Sequence, residues 1–362
     1  MGTAQRRMIT RPGVRACFAL LLYGSLLAGC RHGAVPIDIV WPPPPDPPRI
    51  RYLRAIRASS DVEGLRRRNL VIDILLGGEQ KIYVIKKPYG VVKDPFGRVL
   101  VADTGWGKVL VFDIPNKKFG FIGDGPTGTL SKPCGIATDK DGTLYVSDLV
   151  LHRVYVYDKE GHFKYALGKE GRFGQPVGVA VDVERRRVYV VDMKKHQFAI
   201  FDTDGREIKT IGKRGRGKGE FNYPSNVAVA PNGDVYLVDS FNFRVQRFDS
   251  DGKFLNLWGG RPGNLPGMFA RPKGVAVDRD GHVYVVDAAF HNVQVFTPEG
   301  RLLLSFGSIG TGLGHFYLPA GIDITPEGDI FVSSQLNRRV DVLRYLGGPK
   351  SSSTPPPSIG KH

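Results

Sequence analysis

Three histidines recur at one position of a repeated pattern, four residues after an aspartate that ends a run rich in β-branched residues. They are His152, His196 and His291, and the corresponding positions elsewhere hold Gly107, Phe243 and Arg338. Three imidazole nitrogens and a water can form a catalytic zinc site, but the ligands must converge within about 2.1 Å of one ion. Because these histidines belong to separate copies of the pattern, we interpret them as residues of a structural turn. We expect no cofactor, with calcium or zinc as the open alternative.

Repeated aspartates are the second feature that could carry chemistry. Each ends a strand-like run, and together they are Asp103, Asp148, Asp192, Asp239 and Asp287. A carboxylate that recurs in copy after copy is typical of a turn in which it accepts backbone N–H groups. The chain contains no glycine-rich phosphate loop, His-Glu-x-x-His motif or Gly-x-Ser-x-Gly elbow. No single motif therefore indicates an enzyme.

The pattern that holds these residues repeats six times. Each copy opens on a proline, and the prolines are spaced 45, 43, 48, 48 and 47 residues apart: Pro88, Pro133, Pro176, Pro224, Pro272 and Pro319. Four short strand-like runs follow each of the first five prolines, with Asp-Gly and Asn-Gly turns among the breaks between them. A period in the forties with four strands per unit is typical of a β-propeller blade. We predict an all-β protein with six blades.

The residues of each copy resemble NHL repeats. The fifth copy shows this well, with Pro-Lys-Gly-Val-Ala-Val-Asp at 272–278 and Val-Tyr-Val-Val-Asp at 283–287. The resemblance covers residues 88–347 and implies a six-bladed propeller. Metal-dependent peptide-amidating lyases share this repeat, and their zinc histidines directly follow the blade-opening prolines. Those positions contain no histidine in this chain, which argues against the lyase: Tyr89, Cys134, Val177, Ser225, Lys273 and Ala320.

The sixth copy ends before a fourth strand, so a segment upstream of the first copy must close the ring. Residues 50–56 are the preferred candidate and residues 82–85 are the rival. Between them, a capping box at Ser60–Glu63 and an apolar run at 70–76 predict one helix. Asp323 and Lys93 replace small or apolar residues of the inner strand in adjoining blades. We predict an ion pair between them across the closure.

The N-terminal segment indicates export. Four arginines precede an apolar run at 16–27, which is too short to span a bilayer permanently. The run ends in Leu-Ala-Gly-Cys, which resembles the lipobox of bacterial lipoproteins and implies cleavage before Cys30 and acylation of that cysteine. Arg31 follows instead of aspartate, so the resemblance favours the outer membrane of a Gram-negative bacterium. We predict a signal peptide (1–29), a lipidated, Pro-rich linker acting as a stiff spacer (30–48), the propeller (49–347) and a disordered tail (348–362).

The protein is strongly basic. The chain carries +16, and removal of the signal segment with its four arginines and no acids leaves +12. A basic surface attracts acidic proteins and polyanions. We therefore predict a monomeric, membrane-anchored binding or scaffold platform with a protein or acidic polysaccharide partner, and we do not expect nucleic acid. The alternative is a metal-dependent lyase or hydrolase acting in the central channel. Candidate contacts on the loop face are Tyr89, Trp106, His152, Lys194, His196, Lys213, Arg214, Phe243, His291 and Arg338.

Overall fold

Six antiparallel sheets arranged as the blades of a propeller form the protein in the computed structural model, which describes residues 38–64, 81–263 and 265–347. Five of the blades pair their strands in chain order, and the innermost strand of each blade packs against that of the next. The predicted six-bladed, all-β architecture is confirmed. The predicted signal segment, Cys30, the apolar part of the predicted helix and the C-terminal tail lie outside the described residues.

The strands follow the predicted runs closely. Blade one comprises β3 (Pro88–Lys93), β4 (Arg98–Asp103), β5 (Lys108–Asp113) and β6 (Lys118–Ile122); blade two comprises β7 (Pro133–Thr138), β8 (Leu144–Asp148), β9 (Arg153–Tyr157) and β10 (Phe163–Leu167). Blade three comprises β11 (Pro176–Asp182), β12 (Arg187–Asp192), β13 (Gln197–Asp202) and β14 (Glu207–Ile211). Blade four comprises β15 (Pro224–Val229), β16 (Val235–Asp239), β17 (Arg244–Phe248) and β18 (Phe254–Gly259), with a 3₁₀ turn at Ser240–Asn242. Blade five comprises β19 (Pro272–Val277), β20 (Val283–Asp287), β21 (Asn292–Phe296) and β22 (Leu302–Phe306).

Blade six joins the two ends of the ring. Strands β23 (Pro319–Ile324), β24 (Asp329–Ser334) and β25 (Arg339–Tyr345) are followed in space by β2 (Ile50–Ile56), which pairs antiparallel with β25. The preferred closing strand is therefore confirmed. The rival segment forms only an isolated bridge, between Val84 and Ala58. Closure removes the two unpaired edges that an open ring would expose.

A fifth strand, β1 (Val40–Trp41), pairs with the outer edge of β2 and corrects the predicted linker. The amide of Arg49 donates to the Trp41 carbonyl at 2.7 Å, and the Trp41 ring packs 5.8 Å from that of Phe306. The proline-rich residues 42–48 thus connect two paired strands. They are not the extended spacer that the sequence suggested, because the half-buried Trp41 side chain holds the segment before them on the propeller.

Close approach of neighbouring blades explains the Pro-x-Gly opening of most copies. A Cβ on Gly135 would lie 2.0 Å from the Val177 carbonyl oxygen of the next blade, and one on Gly321 would lie 2.3 Å from the Tyr89 carbonyl oxygen. No side chain fits at such distances. The glycines therefore allow the inner strands to pack edge to edge around the axis, and they set the width of the central channel.

The core lies between blades, since each cluster of buried residues combines side chains from two neighbouring sheets. Tyr145, Tyr189, Tyr236 and Tyr284 stand at one repeat position and are at most 1% exposed. Burial of an aromatic side chain of this size contributes roughly 2–3 kcal/mol. The Tyr189 hydroxyl donates to the Ser250 carbonyl at 2.9 Å, which satisfies its polar end at the next blade.

The predicted helix is only partly described. One turn, α1 (Ser60–Glu63), begins after Ser59, and Ser59 makes no side-chain cap hydrogen bond. The capping box is wrong: Asp61 accepts the amides of Arg57 and Ala58, while the Ser59 hydroxyl accepts the amide of Tyr83. No helix among the described residues is long and apolar enough to cross a membrane.

Candidate functional site

One face of the ring, called here the loop face, is formed by the segments that join successive blades and by the turns between the second and third strands. Those turns end in a left-handed residue in all six blades, with φ between 51° and 66°: Gly107, His152, His196, Phe243, His291 and Arg338. This is the position at which the sequence places its three histidines. Polar residues and glycine adopt this conformation at the least cost, so the turn itself accounts for much of the histidine pattern.

Two of the three histidines also bind the neighbouring connecting segment. His196 Nδ1 accepts the Tyr223 amide and His291 Nδ1 accepts the Leu318 amide, each at 3.0 Å. Burial lowers the pKa of both imidazoles, which keeps Nδ1 unprotonated and able to accept. His152 is exposed. Within the described chain the three histidines do not form a common metal-binding group.

The strand-ending aspartates are fully buried and bind two loops each. Asp148 illustrates the arrangement: one oxygen accepts the amides of Ser131 and Lys132 in the connecting segment, and the other accepts those of Val150 and Leu151 in its own turn, at 2.7–3.0 Å. Asp103 and Asp287 repeat it. Blade six has Ser334 instead, whose hydroxyl accepts the Tyr317 amide at 2.9 Å. The structural interpretation of these carboxylates therefore agrees with the geometry.

Sequence reasoning missed the side chains that hold the three longest connecting segments. A phenylalanine in each is fully buried and takes part in a local bridge: Phe221, Phe269 and Phe316. Arg244 reaches into the first of these segments and donates to the carbonyls of Arg216, Gly217 and Glu220, while its Nε lies 2.8 Å from Asp239. The repeated Gly-x-Phe spacing near the end of each segment was the available signal.

The predicted contact residues lie on the loop face but do not form one cluster. Lys194 and Arg338 are exposed, and Lys213 forms an ion pair with Glu220 at 3.3 Å beside exposed Arg214. Phe243 packs partly against the core between blades four and five. The structure therefore spreads these candidates around the ring.

Trp106, singled out as a possible contact, is half-buried. Its Nε1 donates to the Val84 carbonyl at 2.8 Å, and its ring meets those of Tyr83 and Phe121. Lys86 Nζ lies 3.5 Å from the ring centre. These contacts hold the segment that precedes blade one.

The predicted ion pair between Lys93 and Asp323 is wrong in its chemistry. The Asp323 carboxylate accepts the backbone amide of Lys93 at 2.8 Å, whereas the Lys93 ammonium lies 3.4 Å from Asp329. Asp323 lines the central channel, and burial raises its pKa to about 6 against the two backbone amides that lower it. The two blades are therefore joined by a backbone hydrogen bond to a carboxylate.

The central channel contains a cavity of about 190 Å³ lined mainly by small and apolar residues of the inner strands. Four alanines at one repeat position of the innermost strands all line it: Ala137, Ala180, Ala228 and Ala276. At the loop-face end stand the residues that follow the blade-opening prolines. Lys273 Nζ lies 4.5 Å from the Tyr89 ring centre, and Tyr89 and Cys134 line the cavity. None of the described residues lining the channel is a histidine.

One group of possible metal ligands is present among the described residues: Asp278, Asp280 and His282. It lies in a turn on the opposite face, between β19 and β20. The Asp278 carboxylate already accepts the amides of Asp280 and His282, and its second oxygen lies 2.9 Å from His282 Nδ1. These bonds are those of a structural turn, and the channel gains no metal site from them.

Charge is distributed unequally between the two faces. The loop-face segments and turns within the described chain contain sixteen Lys and Arg but five Asp and Glu. The strand-connecting turns of the opposite face contain nine Lys and Arg but fourteen Asp and Glu. Many of the opposite-face acids bind their own turns, as Asp158 does by accepting the amides of Glu160 and His162. The positive charge of the protein is thus concentrated on the loop face.

Comparisons with known proteins agree with this architecture. A six-bladed β-propeller family model matches residues 178–258, and an NHL-repeat model matches 269–296. The protein brain tumor of Drosophila melanogaster is 31% identical over 142 residues, which are 39% of this chain and 14% of that protein.

Solved structures match at lower identity, which shows the fold alone. A protein of unknown function from Bacteroides thetaiotaomicron superposes with a TM-score of 0.59 at 20% identity, covering 74% of this chain and 71% of that one. Virginiamycin B lyase from Staphylococcus aureus superposes with a TM-score of 0.53 at 13% identity, covering 72% of this chain and 96% of that one. The structure therefore shows a six-bladed β-propeller, and the family models match a six-bladed propeller over 178–258 and an NHL repeat in the fifth blade.

Proposed function

We propose that this protein is a lipid-anchored binding platform of the cell envelope, whose loop face binds an acidic protein or an acidic polysaccharide. The separation of charge between the faces is the observation that supports this proposal. A face with sixteen basic and five acidic residues generates a positive potential that attracts and orients an anionic partner. The exposed apolar side chains of Val150, Phe241 and Leu336 stand at equivalent turns of that face and offer contacts that charge alone does not.

The rim of the channel mouth supplies a direct test. Three of the residues that precede the blade-opening prolines are exposed cations without an ion-pair partner among the described residues: Lys87, Lys132 and Arg271. Their combined replacement by glutamine should weaken binding of polyglutamate and of polygalacturonate. The effect should be large at low ionic strength and small at high ionic strength, because exposed charges are screened by salt.

A matched variant on the opposite face removes the same charge. It replaces three exposed lysines of the turns with glutamine: Lys117, Lys140 and Lys253. If the net charge alone attracted polyanions, both triple variants would lose binding equally, and the loop-face proposal would be wrong. Selective loss in the first variant supports it, and comparison of protein partners retained from detergent-solubilised envelopes then identifies the ligand class.

The membrane anchor is proposed from the N-terminal sequence and needs its own test. Replacement of Cys30 by serine should abolish incorporation of labelled palmitate and release the protein from the membrane fraction. Retention of both label and membrane association by that variant would refute the anchor and leave the loop-face proposal untouched.

A further inference from the structure

We propose that the mouth of the central channel is a binding site for a carboxylate group, held by the Lys273 ammonium against the Tyr89 ring. The site lies at the loop-face end of the channel but differs from the exposed rim, because Lys273 is half-buried and sits beside the cavity that Tyr89 and Cys134 line. The proposal for this site does not depend on whether the protein has a partner in the cell envelope.

The Lys273 ammonium has no counter-charge among the residues that the structure describes. Lys273 Nζ stacks on the Tyr89 ring at 4.5 Å, and within the described chain it makes neither an ion pair nor a hydrogen bond. A half-buried ammonium loses hydration, and a ring face restores only part of that loss. Three donor hydrogens are therefore left for an acceptor that the protein does not provide.

The surroundings increase the demand for an anion. Arg271 and Lys87 lower the pKa of Lys273 further, after burial, which together bring it to about 8. Cys134 does not neutralise the site, because burial raises the pKa of its thiol to about 12 and keeps it uncharged. Tyr89 is likewise kept neutral, since burial raises the pKa of its hydroxyl. The charged groups that act on the Lys273 ammonium are thus the cations Arg271 and Lys87.

The shape of the mouth favours a carboxylate with an apolar body. Below Lys273 and Tyr89 the cavity wall consists of residues such as Val91, Ile136 and Val179, and the cavity volume of about 190 Å³ admits a short chain. One ammonium beside an aromatic ring matches a singly charged group. A phosphate dianion would need several converging donors, which arginine forks or a backbone nest usually provide.

Competitive labelling of the full-length protein in detergent tests the proposal without any variant. Trace isotope-labelled acetic anhydride reacts with unprotonated amines, and mass spectrometry reports the rate at each lysine. A carboxylate within about 4–6 Å raises a lysine pKa by at least one unit. Saturating butyrate should therefore slow labelling of Lys273 about tenfold at neutral pH, relative to chloride at equal ionic strength. Exposed Lys140 on the opposite face is the internal control and should not change.

Further arms distinguish the source of the carboxylate. Protection by butyrate supports a small-molecule ligand. Protection only by an end-blocked glutamate peptide, and not by its glutamine equivalent, supports an acidic side chain of a protein. Unchanged labelling in every arm refutes the site, and equal protection by phosphate refutes the carboxylate assignment. These results are separate from those of the triple variants, so the loop-face proposal and this site fail independently.

Discussion

Replacement of Asp148 by asparagine should destabilise the propeller strongly without altering its charged surface. The carboxylate is fully buried and accepts four backbone amides, two through each oxygen. Asparagine keeps the shape but offers one acceptor oxygen, and its NH₂ group would face two amides that are themselves donors. Two of the four amide donors then lose their acceptor in the protein, whichever way the side chain is turned.

The magnitude follows from those two donors. A buried donor left without an acceptor costs about 1–3 kcal/mol, and a hydrogen bond to a charged group is at the upper end of the usual range. Relaxation of the loops recovers part of this cost, so we expect a loss of about 3 kcal/mol. For a propeller of about 300 residues, with an unfolding entropy of about 2.1 cal/mol/K per residue, such a loss lowers the melting temperature by roughly 5 °C.

Thermal unfolding followed by circular dichroism measures the effect, with Asp141→Asn as the matched control. Asp141 lies exposed in an Asp-Gly turn, and its carboxylate accepts no hydrogen bond from a described residue, so its replacement should change stability by less than about 0.5 kcal/mol. Ser334→Ala, which removes a single acceptor, should fall between the two. If Asp148→Asn melts with the wild type, the carboxylate does not hold the two loops together.

Three further predictions concern titration and packing. Between pH 6.5 and the lowered pKa values of His196 and His291, stability should fall as the pH falls. Replacing both histidines with asparagine should make stability depend less on pH in this range. The same replacement at exposed His152 should leave the pH dependence unchanged. Asp323→Asn should stabilise the protein by about 1–2 kcal/mol at pH 7.5, because its pKa rises from 3.8 to about 6 on folding and the ionised form is disfavoured; the gain should vanish below pH 4, and a constant gain would contradict it. Trp106→Ala should increase amide exchange across residues 81–87 and cost about 2 kcal/mol, and unchanged exchange would show that the ring does not anchor that segment.

Repetition made the fold predictable from sequence. The spacing of the prolines, the Asp-Gly turns and the alanines of the inner strands each recur several times, and the observed strands match them. Gly142 and Gly281, for example, adopt the positive φ that their turns require. The incomplete sixth copy also indicated that a strand was missing, and residues 50–56 pair with β25 to supply it.

Features that occur once were predicted less well, for physical reasons that the sequence hides. The proline-rich residues 42–48 have the composition of an extended spacer, but the pairing of Val40 and Trp41 with β2 depends on a distant aromatic contact. Asp323 and Lys93 do lie in adjoining blades as expected. The backbone decides which of their atoms make contact. The Lys93 amide donates to the Asp323 carboxylate, whereas the Lys93 side chain extends to Asp329.

The candidate site shows the same division between repeated and single features. The buried side of each connecting segment is held by a repeated group, an aspartate or serine at the strand end, together with a phenylalanine or arginine in the longer segments. These contacts fix the backbone of the segment from within. The exposed side of the same segment then contributes little to stability, and its residues can differ from blade to blade.

That freedom explains how charge became concentrated on one face of a regular scaffold. On the opposite face the turns within the blades are four or five residues long, and their acids are needed to accept turn amides, as Asp139 does for Asp141 and Thr143. The loop face has segments of up to twelve residues that are held by buried groups, so basic residues such as Arg214 can be placed there without disturbing the turn. A function that depends on a basic surface is therefore expected on the loop face, and mutations that invert its charge should alter binding while leaving the melting temperature almost unchanged.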